Sequence, residues 1–229
     1  MPQNRAKVVV AIPSFNTERS ISNVVSGALK YADRVIVIDD GSRDSTAEKA
    51  KAAGAIVVSH KVNKGYGEAI KSCLEAGRTN HADVLVIIDG DGQHNPDEIP
   101  MLVAPILDGS ADIVIGSRFT NKKINIPRYR RLGIGVINRL FNFGSRIKVS
   151  DAQSGFRAYS NRALDVISVT ESGMRASIEI LVKARTAGLR IKEVAISCRY
   201  GDYSSTMNPL LHGLRVAFSV IRLRLSKRS

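Results

Sequence analysis

The chain has 229 residues, 44% of them apolar and 24% charged, which is enough to bury one full core and too apolar for a disordered segment. Its two cysteines, Cys73 and Cys198, lie far apart with no CxxC or Cys/His ligand spacing, so neither a disulfide framework nor a zinc site is suggested, and a reducing compartment fits. The formal charge of +13 is unevenly placed: residues 1–117 hold 12 Lys and Arg against 15 Asp and Glu, a net −3, whereas residues 118–229 hold 22 against 6, a net +16.

The first apolar run, Val8 to Pro13, is too short for the apolar region of a signal peptide, and no run approaches the roughly eighteen apolar residues of a spanning helix. Short Val/Ile-rich runs bounded by turn residues then follow: KVVVAIP (7–13), RVIVIDDGS (34–42), AIVVSH (55–60), DVLVIIDGD (83–91) and DIVIGSR (112–118). Their length and β-branched content predict strands buried on both faces, as parallel strands are. Segments with helical spacing separate them, such as Ile21, Val24, Val25, Ala28 and Leu29, or Ala69, Ile70, Cys73 and Leu74. Strand then helix, four times over, predicts βαβ crossovers and an α/β doubly wound, mostly parallel sheet whose ligands sit beyond the carboxyl ends of the strands.

Beyond residue 118 the rhythm breaks. FTNKKINIP (119–127) reads as a loop, 128–147 as a basic helix carrying Arg128, Arg130, Arg131 and Arg139, SGFRAYS as a short strand, about 175–187 as a helix and LRIKEVAIS (189–197) as a strand. Written as a helix, residues 209–225 align Leu210, Leu214, Phe218, Ile221 and Leu225 on one stripe, with Lys227 and Arg228 trailing. This C-terminal amphipathic helix suits an anionic membrane interface, the reading the basic second half favours, and is also what a helix docked on the sheet or on a second copy would show.

Polar residues gather at the predicted strand ends. In VLVIIDGDGQHNPDEIP (84–100), Asp89 and Asp91 follow a strand at a spacing of two, which points both carboxylates the same way. Two acids that close repel, and a divalent cation shared with a phosphate, Mg²⁺ or Mn²⁺, makes the pair tolerable. Gly90 and Gly92 would let a diphosphate approach the backbone; the bland alternative is an Asp-Gly turn that ends a strand. VIVIDDGSRDST puts Asp39 and Asp40 at another strand end, able to accept from a base N–H or a ribose hydroxyl, with Asp44 or Ser45 to cap the next helix. AIPSFNTE offers Pro13, Phe15 and Glu18 as a base-contacting loop, and NKGYGEAI a glycine turn with Lys64 before a helix start, suited to an anion or a ribose.

In this order IPSFNTE, VIDDGSRDST, NKGYGEA, DGDGQHNPDEI, IGSRF and DAQSGFRAYS resemble the family 2 glycosyltransferases, which have the GT-A fold. DGDGQH with GSRF and SGFR is most similar to the branch containing dolichyl-phosphate mannose and glucose synthases, over about residues 6–205. The resemblance implies a single GT-A domain over 1–205, with a nucleotide-sugar half to about 117, an acceptor half over 118–205, and the tail 206–229 beyond it. It implies that Asp89, Asp91 and Gln93 bind the metal and donor diphosphate, and that Pro13, Phe15, Glu18, Ile38 and Asp40 form the base and ribose pocket. Arg118 then lies near the sugar and phosphates, Arg131 holds the acceptor phosphate, and Arg199 closes over the donor. The donor loop is one residue longer than the common YNE, by Thr17, and the C-terminal transmembrane helices of many relatives in this branch have no counterpart in the sequence.

The implied reaction is an inverting displacement from a nucleotide sugar, leaning to GDP-mannose over a UDP-sugar, onto a polyprenyl or dolichyl phosphate at the cytosolic face of a membrane. A phosphate monoester has a second pKa of about 6 and is already dianionic near neutrality, so its site needs cations more than a base; Arg118, Arg130, Arg131 and Arg157 supply them. A saccharide or protein hydroxyl would need a general base, for which Asp151 in SDAQSGFR is the candidate; Asp151 equally suits an organiser of Arg157 or Ser154. His94 reads as a loop residue supporting Gln93, and Glu179 as a paired structural acid. An interfacial enzyme of this kind leaves room for a membrane partner subunit or a homo-oligomer. A non-enzymatic nucleic-acid module, the reading charge alone suggests, has no RNP-type sequence, zinc knuckle or recognition-helix pattern behind it.

Overall fold

The computed structural model describes residues 5–120, 148–173 and 175–199, together with Gly135, Asn138, Arg139 and Asn142. Its elements are β1 (Val8–Ser14), α1 (Ile21–Ala28), β2 (Arg34–Asp39), α2 (Thr46–Ala52), β3 (Ile56–Ser59), α3 (Tyr66–Thr79), β4 (Val84–Ile87), a 3-10 turn (Pro96–Glu98), α4 (Ile99–Leu107), β5 (Ile113–Ser117), β6 (Arg157–Ser160), α5 (Asn161–Val166), α6 (Arg175–Thr186) and β7 (Ile191–Ala195). Arg131, most of the predicted basic helix and the C-terminal amphipathic helix lie outside the described residues, although Gly135, Asn138, Arg139 and Asn142 are helical. Among the described residues no helix is long and apolar enough to cross a membrane.

One seven-stranded sheet runs in the order β3-β2-β1-β4-β6-β5-β7. Pairing is parallel throughout except at β6, which runs antiparallel to both β4 and β5. Alternation along the strands sends side chains into two separate cores. Val9, Ala11, Ile36, Ile38, Leu85 and Ile87 pack with Ile70, Cys73 and Leu74 of α3 and Ile178, Ile180 and Leu181 of α6. Val10, Ile12, Val37, Val86 and Ile88 pack on the other side with Val24 and Val25 of α1 and Ile99, Leu102 and Val103 of α4. Both faces of the central strands are covered, which is why they read as unbroken apolar runs.

The expectation of strands buried on both faces fails at β3. Ile56 and Val58 are exposed because β3 is the edge strand, paired on one side only. β4 is also shorter than DVLVIIDGD suggests: the ladder ends at Ile87, but the chain stays extended along β1, with the Ile88 N–H on the Ala11 carbonyl and the Gly90 N–H on the Pro13 carbonyl, both 3.2 Å. The crossovers from β1 through β2 to β3 build one side of the sheet, and β4 lies on the other side of β1. Strand order therefore reverses between β1 and β4, and this is where an open α/β sheet leaves a crevice at its carboxyl end.

The first turn of α3 is pressed against the 171–173 loop: a Cβ at Gly67 would lie 2.5 Å from the Glu171 carbonyl oxygen and 2.9 Å from the Gly173 nitrogen. Both obstacles are backbone and cannot rotate away. Gly67→Ala is expected to destabilise the fold by about 1–3 kcal/mol, read as a lower urea midpoint at unchanged m-value.

Candidate active site

The crevice is assembled by backbone contacts between strand ends. Pro13 is the register partner of Ile38 on one side and accepts the Gly90 N–H on the other. Asp40 N–H donates to the Ser14 carbonyl at 2.8 Å. The loops after β1 and β2 are stitched together: Asn16 N–H donates to Ser42 Oγ (2.9 Å), Arg43 N–H to Asn16 Oδ1 (2.9 Å) and Thr17 N–H to Thr46 Oγ1 (2.8 Å). Glu18 sits over this seam, 3.5 Å from Lys49. Phe15 stands at the end of β1 with 45% of its surface exposed, whereas Pro13 and Ile38 are buried and form the wall behind it.

Asp40 is buried and its carboxylate is occupied from within the protein. Its oxygens accept from the Lys64 N–H (2.9 Å) and the Gly65 N–H (2.8 Å), and Oδ1 lies 2.6 Å from His60 Nδ1, whose Nε2 lies 2.9 Å from Ser72 Oγ. The glycine turn at 63–66 thus does bind an anion, as its amides suggest, but the anion is Asp40 rather than a ligand. Asp44 captures the Thr46 N–H at 3.1 Å at the start of α2, while Ser45 makes no side-chain cap.

Asp89 and Asp91 follow β4 into the crevice. The Asp89 side chain is 27% exposed, and a Cβ at Gly155 would fall 2.1 Å from its Oδ2, so the carboxylate lies flat against the chain at residue 155. Burial, followed by the charge of Asp91, pushes Asp89 up to about 7, against the pull of Arg118 and Arg157. Asp91 turns back to accept the Gln93 N–H at 3.0 Å; desolvation by the crevice walls raises it too, against that hydrogen bond and Arg118. The space Gly90 leaves is not open to a ligand, since a Cβ there would meet Ser14 Oγ at 2.3 Å. Gly92 adopts φ +78°, which the turn after Asp91 requires.

Arg118, at the end of β5, makes a two-pronged pair with Asp151: Nε to Oδ2 at 2.7 Å and Nη2 to Oδ1 at 2.9 Å, with its own N–H on Oδ2 at 3.2 Å. Asp151 is 0% exposed and organises Arg118, not the Arg157 expected from sequence; Ser154 touches it through backbone alone. Arg157 is 2% exposed, with its guanidinium on the carbonyls of Ser154 (2.9 Å), Ser177 (3.1 Å) and Ala152 (2.7 Å). It is therefore a buried countercharge behind Asp89 and not a surface ligand for an acceptor phosphate. Arg199, exposed, is drawn to the same place, its N–H donating to the Gln93 carbonyl at 2.9 Å. The structure thus gathers Pro13, Phe15, Glu18, Ile38, Asp40, Asp89, Gly90, Asp91, Gln93, Arg118, Asp151 and Arg199 at one end of the sheet.

Other residues at this site carried no sequence signal, or a misleading one. His94 is buried, with Nε2 3.9 Å from Asp89 Oδ2 and its ring 5.4 Å from that of Phe156. Burial, then Arg118, pushes it down to about 4, so it faces Asp89 as a neutral ring and not as an ion-pair partner. Gly155 is needed for closeness to Asp89, which the SGFR string hints at only through its glycine. Glu193, in the middle of β7, accepts the backbone N–H groups of Ser150 (2.9 Å) and Asp151 (3.0 Å). Glu179 is the paired structural acid expected, 2.7 Å from Lys183 and capping Thr170 and Glu171.

A family model described as glycosyl transferase family 2 matches residues 9–168. The chain is 32% identical over 224 residues to an uncharacterised protein of Methanocaldococcus jannaschii, covering 95% of this chain and 92% of that one. It is 32% identical over 244 residues to a UDP-N-acetylglucosamine–dolichyl-phosphate N-acetylglucosaminyltransferase of Methanococcus voltae, covering 96% and 97%. A dolichyl-phosphate hexose transferase of Haloferax volcanii is 30% identical over 223 residues, covering 96% and 95%. Among solved structures, glucosyl-3-phosphoglycerate synthase from Mycobacterium tuberculosis, in complex with Mn²⁺, UDP-glucose and phosphoglyceric acid, superposes with a TM-score of 0.72 at 26% identity, covering 97% of this chain and 79% of that one. The same synthase has been solved with Mg²⁺ and UDP, with a TM-score of 0.68 at 25% identity.

The raised Asp89 has a measurable consequence for the ligand-free protein. A carboxyl whose folded pKa lies above its unfolded one costs stability when ionised: the cost is full above about pH 7, shrinks as pH falls, and vanishes below the ordinary carboxylate range. Asp89→Asn should therefore raise the melting temperature over the parent above pH 7, with the gain fading toward pH 4 in paired thermal melts.

Proposed function

The chain belongs to glycosyl transferase family 2, has the GT-A fold and is a glycosyltransferase, and on that premise we propose that it moves a hexosyl unit from a UDP-sugar to a polyprenyl phosphate such as dolichyl phosphate. Two of the named relatives carry dolichyl phosphate in their names. The N-acetylglucosaminyltransferase and the solved synthase both carry a UDP-sugar, which supports a uridine donor over the GDP-mannose to which the family resemblance leans.

The observation that carries the acceptor reading is the Arg118–Asp151 pair. A hydroxyl acceptor would need a base, and the acid positioned for that role has both oxygens on a guanidinium and no exposed surface. A phosphate acceptor brings its own nucleophilic oxygen already ionised, and needs cations to hold it. Arg118 supplies one with its geometry fixed by Asp151, and Arg131, by resemblance, another. The excess of 22 Lys and Arg over 6 Asp and Glu in residues 118–229 suits an anionic headgroup and a peripheral position on the cytosolic face of a membrane.

The donor side fits a divalent cation, Mg²⁺ or Mn²⁺. Its chemistry here is hard oxygen: Asp89 and Asp91, with Gln93 beside them. Among the described residues no group of three or more His, Cys, Asp or Glu is arranged to hold an ion, so two carboxylates would leave the remaining positions to donor phosphates and water. When bound, the ion neutralises charge that builds on the departing diphosphate. The chain's own residues do the rest. Arg157 balances Asp89 from below, Arg118 faces both acids and the entering phosphate, Phe15 stands where a base can stack, and Arg199 rises beside Gln93. An acceptor phosphate oxygen then displaces the nucleoside diphosphate at the anomeric carbon with inversion.

Calorimetric titration with UDP- and GDP-sugars in Mn²⁺, followed by transfer to a short-chain polyprenyl phosphate, tests this directly. UDP-sugar should bind only with the ion and yield a lipid-linked product; binding restricted to GDP-mannose would overturn the donor, and transfer restricted to sugar hydroxyls the acceptor. Asp91→Ala should lower turnover by about 10²–10³-fold, and EDTA should do the same to the parent. Because Asp89 must lose its proton to take an ion, Mn²⁺ affinity in the presence of UDP should climb with pH to about 7 and level off above it.

A further inference from the structure

The segment Val149–Ala152 carries Asp151, and its backbone is held by side chains instead of by a neighbouring strand. Val149 N–H donates to Asn142 Oδ1 (2.9 Å) and its carbonyl accepts from Asn142 Nδ2 (2.8 Å). Ala152 N–H donates to Asn138 Oδ1 (3.1 Å), and Asn138 Nδ2 donates to the Ser150 carbonyl. Ser150 and Asp151 N–H groups both donate to Glu193, and the Ala152 carbonyl accepts from Arg157 Nη2 (2.7 Å). Among the described residues the remaining partner is local, Ser154 N–H on the Asp151 carbonyl at 3.3 Å.

Asn138 and Asn142 are both helical and four apart, so they share a face. A carboxamide presents a donor and an acceptor side by side, as one peptide unit does to another, and two of them in series fix the segment's register as a strand would. Glu193 reaches in from the other side, on β7 opposite Ile115 of β5, two residues before Ser117 and three before Arg118. The segment is therefore clamped between a helical stretch that follows the basic cluster Arg128, Arg130 and Arg131 in sequence and the strand pair that ends in Arg118.

We propose that Asn138, Asn142 and Glu193 are positioning residues for glycosyl transfer: they hold Asp151 where its carboxylate aims Arg118 into the crevice. Their contacts are with the backbone that carries Asp151, so in this proposal they act through Asp151. A strand would spread this task over many interchangeable backbone bonds, whereas here each side chain carries two backbone groups and its removal leaves both unmet. The inference rests on Arg118 belonging to the active site, as proposed above.

The test compares Asn138→Leu, Asn142→Leu, Glu193→Leu and Glu193→Gln with the parent by three measurements: hydrogen exchange of the amides at 149–152, calorimetric affinity for UDP with Mn²⁺, and KM and kcat for a short-chain polyprenyl phosphate. The Leu variants should lose amide protection at 149–152, keep UDP affinity within about twofold, and lose about 10–10²-fold in kcat, the scale of a reacting group displaced by roughly 1 Å. Glu193→Gln keeps an acceptor oxygen and should recover most of what Glu193→Leu loses. Lost protection with parental kcat would overturn the proposal, and so would losses of UDP affinity and melting temperature that track the loss of kcat, which mark a merely structural role. If Asn138→Leu does not fold, Asn138→Asp keeps the acceptor oxygen, loses the donor, and stands in for it. Should the parent fail to glycosylate polyprenyl phosphate, the acceptor reading falls by itself; the same comparison is then made on hydrolysis of the UDP-sugar, where unchanged rates in the variants would sink the positioning role.

Discussion

Everything at the carboxyl end of the sheet is arranged around a charge conflict. Asp89, partly buried, and Asp91, exposed beside it, stand near each other where strand order reverses; Arg118 counters the charge of both and Arg157 that of Asp89. Acids outnumber guanidiniums at this end of the sheet, and an unbalanced pair of carboxylates attracts a divalent cation, which in turn draws in an anionic ligand.

The two guanidiniums differ in how they are held, and this separates their roles. Arg157 rests on three carbonyl dipoles and, among the described residues, touches no carboxylate, so its charge acts on the crevice as a fixed background field. Arg118 is aimed by a carboxylate buried beneath it and keeps some exposed surface, which suits the substrate contact proposed for it. The ends of β1 and β2 show the same economy: Asp40 fastens the loop before α3 and Asp39 takes the Ser42 N–H, while Phe15 stays exposed.

Much of this was legible in the sequence because the governing signals are local. Apolar runs gave the strands, helical spacing gave α1 and α3, and paired acids immediately after an aliphatic run gave the crevice. What sequence could not supply was pairing at a distance. Nothing in SGFRAYS says that β6 will enter antiparallel between β4 and β5, and so nothing places Arg157 behind Asp89 instead of on the acceptor surface. Nor do the residue types say that Asp40 will close on Lys64 and Gly65, or that Asp151 will choose Arg118. Asn138, Asn142 and Glu193 look like ordinary surface residues, since their meaning lies in the backbone atoms they reach. The edge exposure of Ile56 and Val58 likewise depends on strand order, which no single strand encodes.

The placement of β6 sets one more dimension. Strands in a sheet lie about 4.8 Å apart, so a strand inserted between β4 and β5 holds the tips of those two strands at roughly twice that distance. The acids that follow β4 and the arginine that follows β5 thus spring from strand ends about 10 Å apart, with Ser154 and Gly155 leading into the strand between them. An insertion of four residues of strand, pointing the opposite way from its neighbours, therefore acts as the spacer that keeps the acidic end of β4 and the basic end of β5 apart.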